Sequence, residues 1–411
     1  MVRVRPFKAI RPNKEYVDKV AALPYDTMDT EEARKMAKNN PYSYLRIDRA
    51  EIDLDKKIDI HDKKVYEKAR QNLNKFIEEK ILVEDDEPAL YIYREIMNDR
   101  IQIGIVGAVS VDESIDGTIK KHEHTKPDKV EDRTKHIEYC QAHTGTILLT
   151  YENDKDIDNF IEEKIKVEPE YDFSTDDMIR HTVWLLDKEE SKEVESLFKN
   201  VKSLYIADGH HRSAAAENYA MKKREENPNY NPEDEFNFYI AMIAPKKNLY
   251  VMDYNRLVKD TNNYTKEYLL NKIEENFQIN SMKKAFRPCN KYEYAMYLDK
   301  EWHRLKFMGT DNGILDSVKR LDVSVLHDYL IEPILEIDNP HKNDRIDFVG
   351  GIRGLDEIEN KIDNGKFKLA FILHPTELDE LIEVADEGKI MPAKSTWFEP
   401  KVRCGLFVHR V

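Results

Sequence analysis

Apolar residues recur along the chain at two periods, one typical of helices and the other of strands. The apolar positions of one early stretch are Val65, Ala69, Leu73, Phe76 and Ile77. Their spacing predicts an amphipathic helix over residues 62–79. Residues 90–96 and 101–111 are apolar runs on either side of a polar Asn-Asp pair, which is typical of a β-hairpin. The first part of the chain is therefore predicted to be α+β.

Strand patterns also occur farther along the chain. The pattern predicts buried strands at 181–186 and 203–207, a second hairpin from 236–244 and 249–253, and two late strands at 345–350 and 368–373. Helical patterns dominate between residue 260 and the first of the late strands. Asp29 with Glu32 resembles a capping box, which starts a helix that ends at Asn39-Asn40-Pro41. The predicted fold class is α+β, with mixed sheets and flanking helices.

Length and composition limit the organisation and the partners. At 411 residues the chain exceeds what one hydrophobic core usually serves, so we expect two regions, 1–259 and 260–411. The net charge of -15 argues against a general nucleic-acid binder, which needs a basic surface. Three distant cysteines, no apolar leader segment and no membrane-length apolar run predict a cytoplasmic protein without a membrane partner. A homo-oligomer is left open.

The segment SLYIADGHHRSAAAENYA, residues 203–220, predicts a strand, a tight turn and a helix. A helix N-terminus offers free backbone N–H groups, Gly209 permits close backbone approach, and Arg212 matches phosphate geometry. We therefore predict an anion site, most plausibly for phosphate. The alternative is that Asp208 only caps the helix and that His210 and His211 pair locally.

A second cluster of polar residues lies between residues 117 and 136. It shows no apolar period, so the sequence favours chemistry over packing there. The cluster contains His122, Glu123, His124, Thr125, Lys126, Lys129, Arg133 and His136. A carboxylate between two histidines can act as a general base or help to hold a metal. A transition-metal hydrolase built on His122, His124, His210 and His211 is the second hypothesis.

Two further segments contain candidate residues. Lys394, Ser395 and Thr396 lie in MPAKSTWFEPK, where a lysine next to hydroxyl groups can hold phosphate oxygens although the glycine lead of a P-loop is missing. Residues 23–29 form a predicted strand-to-helix junction with Tyr25 and Asp26, and a plain structural turn explains these two residues about as well.

The chain resembles a widespread bacterial and archaeal family, domain-of-unknown-function family 1015. The resemblance rests on RPFKAIRP, LPYDTMDTEEA, IKKHEHTKPDKVEDR, YIADGHHRSAAA and MPAKSTWFEPKVRCGL, in this order along nearly the whole chain. The ADGHHR segment is also similar to the phosphate-handling motif of the ParB/sulfiredoxin-like superfamily, which includes archaeal free-serine kinases.

The superfamily resemblance implies that Asp208, Gly209, His210, His211 and Arg212 hold nucleotide phosphates. It also implies a ParB/sulfiredoxin-like catalytic region at 1–259, to whose site the region 260–411 contributes the MPAKST segment. The chain departs from two branches of the superfamily. It lacks the reactive cysteine that sulfiredoxin has in this motif, and it lacks the helix-turn-helix and basic surface of partition proteins. The small-molecule kinase branch fits best.

We therefore predict a kinase that transfers phosphate from ATP or ADP, with Mg²⁺, to the hydroxyl of a small metabolite such as L-serine. Arg212 and Lys394 would hold phosphates together with Ser395 and Thr396. Glu123 is the leading catalytic base and Asp26 the second. The residues predicted at the acceptor substrate are His122, His124, Thr125, Lys126, Lys129 and Arg133. A non-catalytic nucleotide-binding module is a third hypothesis.

Overall fold

The computed structural model describes residues 1–309, 316–340 and 342–411. The α+β class is confirmed. The chain forms two compact units. The first contains Met1–Lys121, Thr125–Leu249 and Pro400–Val411, and the second contains His122–His124 and Tyr250–Glu399. The functional division into 1–259 and 260–411 stays a prediction.

The first unit holds two sheets and most of the long helices. Its strands are β1 (Val4–Arg5), β2 (Ala9–Pro12), β3 (Leu82–Glu84), β4 (Tyr91–Met97), β5 (Arg100–Ser110), β6 (Ile119–Lys120), β7 (Ala142–His143), β8 (Ile147–Tyr151), β9 (Tyr171–Ser174), β10 (Arg180–Leu185), β11 (Leu204–Asp208), β12 (Phe238–Pro245) and, from the end of the chain, β21 (Val408–Arg410). Its helices are α1 (Val17–Val20), α2 (Thr30–Ala37), α3 (Leu45–Asp48), α4 (Lys63–Glu78), α5 (Val111–Ile115), α6 (Pro127–Cys140), α7 (Lys155–Lys164), α8 (Lys188–Phe198) and α9 (His210–Glu226).

The larger sheet of the first unit is mixed. Its order is β6-β11-β8-β12-β5-β4-β10-β9, with β1 added on β5. The pairs β6/β11 and β8/β12 are parallel, and the other pairs are antiparallel. The smaller sheet is antiparallel, in the order β3-β2-β21-β7. The last residues of the chain therefore occupy an inner position of a sheet that begins near residue 9.

Several local predictions for this unit are confirmed. Asp29 and Glu32 form both hydrogen bonds of a capping box at the start of α2. Helix α4 begins at Lys63 and ends at Glu78, and its predicted apolar stripe is buried except at Ile77. Strands β4 and β5 form the predicted hairpin, and β11 leads through Gly209 into α9.

The second unit is built on an antiparallel sheet. Its strands are β13 (Tyr250–Met252), β14 (Tyr254–Val258), β15 (Phe277–Met282), β16 (Glu293–Leu298), β17 (Glu301–Phe307), β18 (Ile346–Gly350), β19 (Leu369–Leu373) and β20 (Trp397–Glu399). Its helices are α10 (Lys266–Ile273), α11 (Asp322–Leu326), α12 (Glu332–Leu335), α13 (Leu355–Asp363) and α14 (Leu378–Asp386). The six-stranded sheet has the order β15-β17-β16-β19-β14-β18, and β13 pairs with β20 apart from it.

The two faces of this sheet carry different helices. Leu257, Ala295 and Ile372 pack with Ile358 and Ile362 of α13 on one face. The alternate residues of the same strands point to the other face. There the Tyr294 hydroxyl donates to the backbone oxygen of Asp322, the first residue of α11.

Three sequence predictions need correction. The hairpin from 236–244 and 249–253 is wrong, since β12 pairs with β5 and β8 whereas β13 pairs with β20. The helical prediction after residue 260 is wrong over β15, β16 and β17, although residues 310–315 and 341 of that stretch lie outside the described residues.

Within the described ranges, no helix combines the length and apolar character needed to cross a membrane.

The third correction concerns residues 117–136, where the sequence showed no apolar period. Much of that segment belongs to α6, and Val130 and Ile137 of this helix are buried against Ala215 and Tyr219 of α9. The period was hard to recognise because many of the other positions of the helix are charged and because Pro127 opens it. Packing therefore explains part of a segment that the sequence assigned to chemistry.

Candidate functional site

The turn between β11 and α9 is shaped by one glycine. Gly209 has φ of +101° and stands just before the helix, and no side chain caps α9. A Cβ at this position would lie 3.1 Å from the Arg212 guanidinium, which is tighter than most Cβ contacts. Glycine is therefore required both for the backbone conformation and for the space that Arg212 occupies. The N-cap residue of α9 is thus a glycine, which has no side chain to accept from the first N–H groups of the helix.

Asp208 binds two cations. Its carboxylate accepts from Arg212 Nη2 at 2.8 Å and from Lys401 Nζ at 3.0 Å. Burial opposes ionisation, but Lys401 and Arg212 outweigh it and hold the pKa of Asp208 far below its usual range. Arg212 also donates through Nη1 to the backbone oxygen of Thr146. Both oxygens of Asp208 therefore accept from cationic side chains, so a role limited to capping α9 does not account for its contacts.

The N-terminus of α6 lies beside that of α9. The backbone N–H of Lys126, the residue before α6, donates to Nε2 of His211 at 3.1 Å. Lys126 is the N-cap residue of α6 and provides no side-chain cap, and the helix begins with Pro127. The two helices pack along their length through the apolar residues named above. Two helix N-termini, each carrying a partial positive charge, are therefore held side by side.

A small polar cavity lies next to Arg212. Its volume is about 30 Å³, room for one water molecule, and Arg133, Tyr25 and Asp48 are among its lining residues together with Arg212. The Arg133 guanidinium lies 4.2 Å from the centre of the Tyr25 ring. Arg133 also binds Asp132 at 2.7 Å and the backbone oxygen of Asp48 at 3.3 Å. Both arginines that the sequence singled out therefore border one cavity.

The charges around this cavity are balanced by buried partners. Burial opposes the charge of Arg133, but Asp132 and Tyr25 outweigh it and raise the pKa of the guanidinium above its usual value. Burial, with Arg133 adding to it, lowers the pKa of His136, whose Nε2 donates to the backbone oxygen of Ile47 at 3.0 Å. His136 is therefore neutral near pH 7. Asp26 is exposed in the short turn Tyr25–Thr27.

The two buried cysteines are poor nucleophiles. Burial raises the pKa of Cys140 to about 12 and also raises the pKa of Cys404 well above its usual value. Because the thiolate is the reactive form, neither side chain suits covalent chemistry near pH 7.

The second unit brings two predicted segments together. The backbone N–H of Met391 donates to the oxygen of His122 at 2.8 Å, and the Thr396 hydroxyl lies 3.5 Å from His122 Nε2. The Ser395 hydroxyl donates to the backbone oxygen of Pro392. The HEH segment, His122–His124, therefore contacts the KST segment, residues 394–396.

Lys394 has a left-handed backbone with φ of 60°, and its ammonium group lies 5.5 Å from the centre of the Tyr254 ring. Asp26, Thr125, Lys126, Lys129, Arg133 and residues 208–212 lie in the first unit. Convergence of the three clusters on one site stays a prediction, as do the individual roles assigned to these residues.

Sequence reasoning missed three side chains of the first unit. Lys401 was not assigned a role, although it binds Asp208 from a position 193 residues away. Tyr25 was weighed only as part of a turn, and Asp48 was not considered. A signal existed for Lys401, since it is the last residue of the quoted MPAKSTWFEPK segment. None existed for Asp48, which contributes a backbone oxygen to Arg133 and accepts from Thr144 at 2.8 Å.

Comparisons with known proteins identify a family. None of the curated proteins matches the chain. Among solved structures, it is similar to a conserved hypothetical protein from Pyrococcus furiosus, with 12% identity over 73% of this chain and 95% of that one and a TM-score of 0.35. A free serine kinase in complex with AMP shows 13% sequence identity over 71% of this chain and 86% of that one, with a TM-score of 0.36. SbnI from Staphylococcus aureus with a C-terminal truncation shows 11% sequence identity over 73% of this chain and 84% of that one, with a TM-score of 0.38.

The family resemblance found in the sequence is confirmed at the level of a whole-family comparison. The match covers residues 4–324, most of the chain. It includes the first three motifs and the ADGHHR turn. The chain belongs to the protein family of unknown function DUF1015.

Proposed function

We propose that the first unit binds phosphate groups at the paired N-termini of α6 and α9. The observation that carries this proposal is the hydrogen bond that His211 Nε2 accepts from the Lys126 N–H, which holds next to each other two helix N-termini whose N-cap residues provide no side-chain cap. Helix N-termini bind anions through free N–H groups and the helix dipole. Two adjacent N-termini suit a polyphosphate better than one would.

The side chains nearby support the same chemistry. Lys126 and Lys129 are exposed at the start of α6, where their ammonium groups add to the positive potential. Arg212 and Lys401 together carry two positive charges against the single charge of Asp208. Arg212 acts through the structure of the turn, because Asp208 and the backbone oxygen of Thr146 accept from its guanidinium.

The reaction we propose is phosphoryl transfer from ATP or ADP to the hydroxyl of a small metabolite, with L-serine as the first candidate. Such transfer depends on positioning and on neutralising charge, and Mg²⁺ with the nucleotide would supply part of that neutralisation. Both oxygens of Asp208 are engaged by cations, so this residue would not be a Mg²⁺ ligand. Glu123 is the proposed base, with Asp26 as the second choice, and Lys394, Ser395 and Thr396 are proposed to contact phosphate.

A metal-dependent hydrolase is less favoured. His211 Nε2 accepts the Lys126 N–H, so this nitrogen has no lone pair left for a metal. Stoichiometric zinc in the purified protein would reverse this preference. A non-catalytic nucleotide-binding module shares the proposed phosphate site, and only a turnover measurement separates it from a kinase.

The binding step is tested by titrating the full chain with ATP, ADP and AMP in a calorimeter. Lys129→Ala should weaken ADP binding about three- to tenfold, because one exposed cation near the phosphates is lost. Lys135→Ala is the matched control, since Lys135 lies on the same helix and pairs with Glu131. Equal affinities of the two variants would contradict the placement of the phosphates.

The chemical step is tested by incubating the protein with each nucleotide, Mg²⁺ and a panel of hydroxyl metabolites that includes L-serine. Phosphorus NMR should detect a new phosphate monoester. Glu123→Gln should abolish this product while nucleotide affinity is retained. Nucleotide binding without any phosphorylated product would favour the binding module, and unchanged turnover in the variant would exclude Glu123 as the base.

A further inference from the structure

The second unit also contains a buried arginine, Arg256, to which no role has been assigned above. Arg256 is in β14 and is 3% exposed. Its guanidinium lies 5.4 Å from the centre of the Phe348 ring, which belongs to the paired strand β18. Its Nη1 donates to the backbone oxygen of Tyr254. Among residues 1–309, 316–340 and 342–411, no carboxylate forms an ion pair with Arg256.

An arginine in this position is costly. A buried charge without a counterion loses its hydration and gains little in return. Burial lowers the pKa of Arg256 to about 10, with Tyr254 and Tyr294 opposing only part of the effect. The fold nevertheless keeps the guanidinium in this place, beside a cavity.

The cavity has a volume of about 160 Å³ and lies wholly within the second unit. Val323, Ile331, Ile346 and Phe348 give it largely apolar walls, and Arg256 supplies its buried cation. For scale, an apolar cavity of about 150 Å³ accommodates benzene. The space therefore suits an organic molecule of about four to seven non-hydrogen atoms.

His327 provides a second polar group at the same cavity. It begins a π-helical turn, His327–Ile331, between α11 and α12. Its Nδ1 is buried and has no hydrogen-bond partner in the part of the chain that the structure describes, whereas its Nε2 lies 3.6 Å from Glu332. Isolated π turns are frequent at functional sites. Arg256 and His327 thus add polar groups to walls that are largely apolar, and Asp338 and Asn339 also border the cavity.

We propose that this cavity binds a small organic carboxylate. The carboxylate would accept from the fork of Arg256, His327 Nδ1–H would donate to one oxygen, and the apolar part would contact Val323, Ile331 and Phe348. A carboxylate fits better than a phosphate dianion because the walls are apolar and because the exposed Asp338 also borders the cavity. The side chains named here differ from those proposed to contact phosphate, although Pro392 and Ala393, which precede Lys394, also line the cavity.

The test is calorimetric titration of the full chain with sodium acetate, propionate and butyrate. Propionamide serves as the uncharged match for propionate, and inorganic phosphate serves as the competing anion. We expect propionate or butyrate to bind with a dissociation constant in the low millimolar range or tighter, and propionamide and phosphate to bind at least tenfold more weakly. Tighter binding of phosphate, or equal binding of propionamide, would overturn the proposal.

Variants locate the binding. Arg256→Met should weaken propionate binding at least tenfold, and Arg256→Lys should weaken it less, because the charge stays while the fork is lost. Arg320→Met is the control in the same unit, since Arg320 pairs with Glu383 and does not border the cavity. If Arg256→Met does not fold, the Arg256→Lys comparison decides. Wild-type affinity in either Arg256 variant would overturn the assignment.

Discussion

Arg212 and Arg256 are both buried, 8% and 3% exposed, but their guanidinium groups have different partners in the two units. Arg212 has a carboxylate partner at 2.8 Å, and Lys401 shares that carboxylate. Arg256 has a backbone oxygen and an aromatic face but no carboxylate partner among the described residues. The first unit therefore neutralises its buried cation with its own chain. The second unit leaves that function to a ligand, so buried charge alone does not reveal whether an arginine is structural.

The largest expected effect comes from removing the carboxylate of the first unit. Asp208→Asn removes the carboxylate that Arg212 and Lys401 share, and we expect a loss of about 3–5 kcal/mol in the free energy of unfolding. Urea denaturation followed by Trp184 fluorescence, with Trp302 and Trp397 replaced by Phe, reports on the first unit. Asp172→Asn is the control, because its pair with Arg180 is largely exposed and should contribute less than about 1 kcal/mol. Equal losses of unfolding free energy in Asp208→Asn and Asp172→Asn would show that the buried pair contributes no more than the exposed one.

The next effect concerns Asp132, which binds Arg133 beside the small cavity. Burial opposes ionisation of this carboxyl, but Arg133, Tyr66 and His61 outweigh it and lower its pKa from 3.8 to about 2. Because the folded pKa is depressed, the stabilisation is present above the unfolded value and is lost as the pH falls from about 4 toward 2.

This loss should amount to about 2 kcal/mol. Free energies of unfolding measured between about pH 6 and pH 2 should therefore decline less steeply in Asp132→Asn than in the wild type. Parallel curves for the two proteins would show that the pairing of Arg133 is not linked to stability.

A smaller effect is expected at Gly209, where an added Cβ would contact the Arg212 guanidinium. Gly209→Ala should cost about 1–2 kcal/mol, because φ of +101° strains alanine and the new Cβ would press on the guanidinium. Gly117→Ala is a matched control, since Gly117 also has a positive φ but no atom within 4 Å of an added Cβ. The excess cost at Gly209 in thermal or urea denaturation measures the contact with Arg212. No excess would mean that the turn can relax.

The smallest effect is expected at the other arginine. Without a carboxylate in solution, Arg256→Met should change the free energy of unfolding by less than about 1 kcal/mol or should raise it, since an uncompensated buried charge is removed. Trp302, in the same sheet, reports on this unit when Trp184 is replaced. A loss comparable to that of Asp208→Asn would show that Arg256 is structural and would remove the contrast between the units.

Local features of the fold were predictable from the sequence because neighbouring residues determine them. The capping box at Asp29, helix α4 and the β4/β5 hairpin depend on residues within a few positions of one another. The β12/β13 hairpin failed for the opposite reason. Two apolar runs close in sequence pair with distant strands, and no local pattern records that choice.

The candidate sites show the same limit. The Asp-Gly-His-His-Arg turn was recognisable because its residues are contiguous. Lys401 and Asp48 are far from their partners in sequence and reach the first site only in the folded chain, so the sequence gives no local pattern for these contacts. Arg256 gave no sequence signal at all, because one arginine in a strand pattern is ordinary. Its meaning depends on the absence of a carboxylate among the described residues around it.

The bond between Asp208 and Lys401 also has a consequence for synthesis of the protein. The two residues are 193 positions apart. At roughly 5–20 residues per second, a ribosome needs about 10–40 s to add that length of chain. During this time the aspartate has Arg212 but not Lys401, and β21 has not yet entered its sheet. The smaller sheet of the first unit can therefore be completed only after β21 has been synthesised.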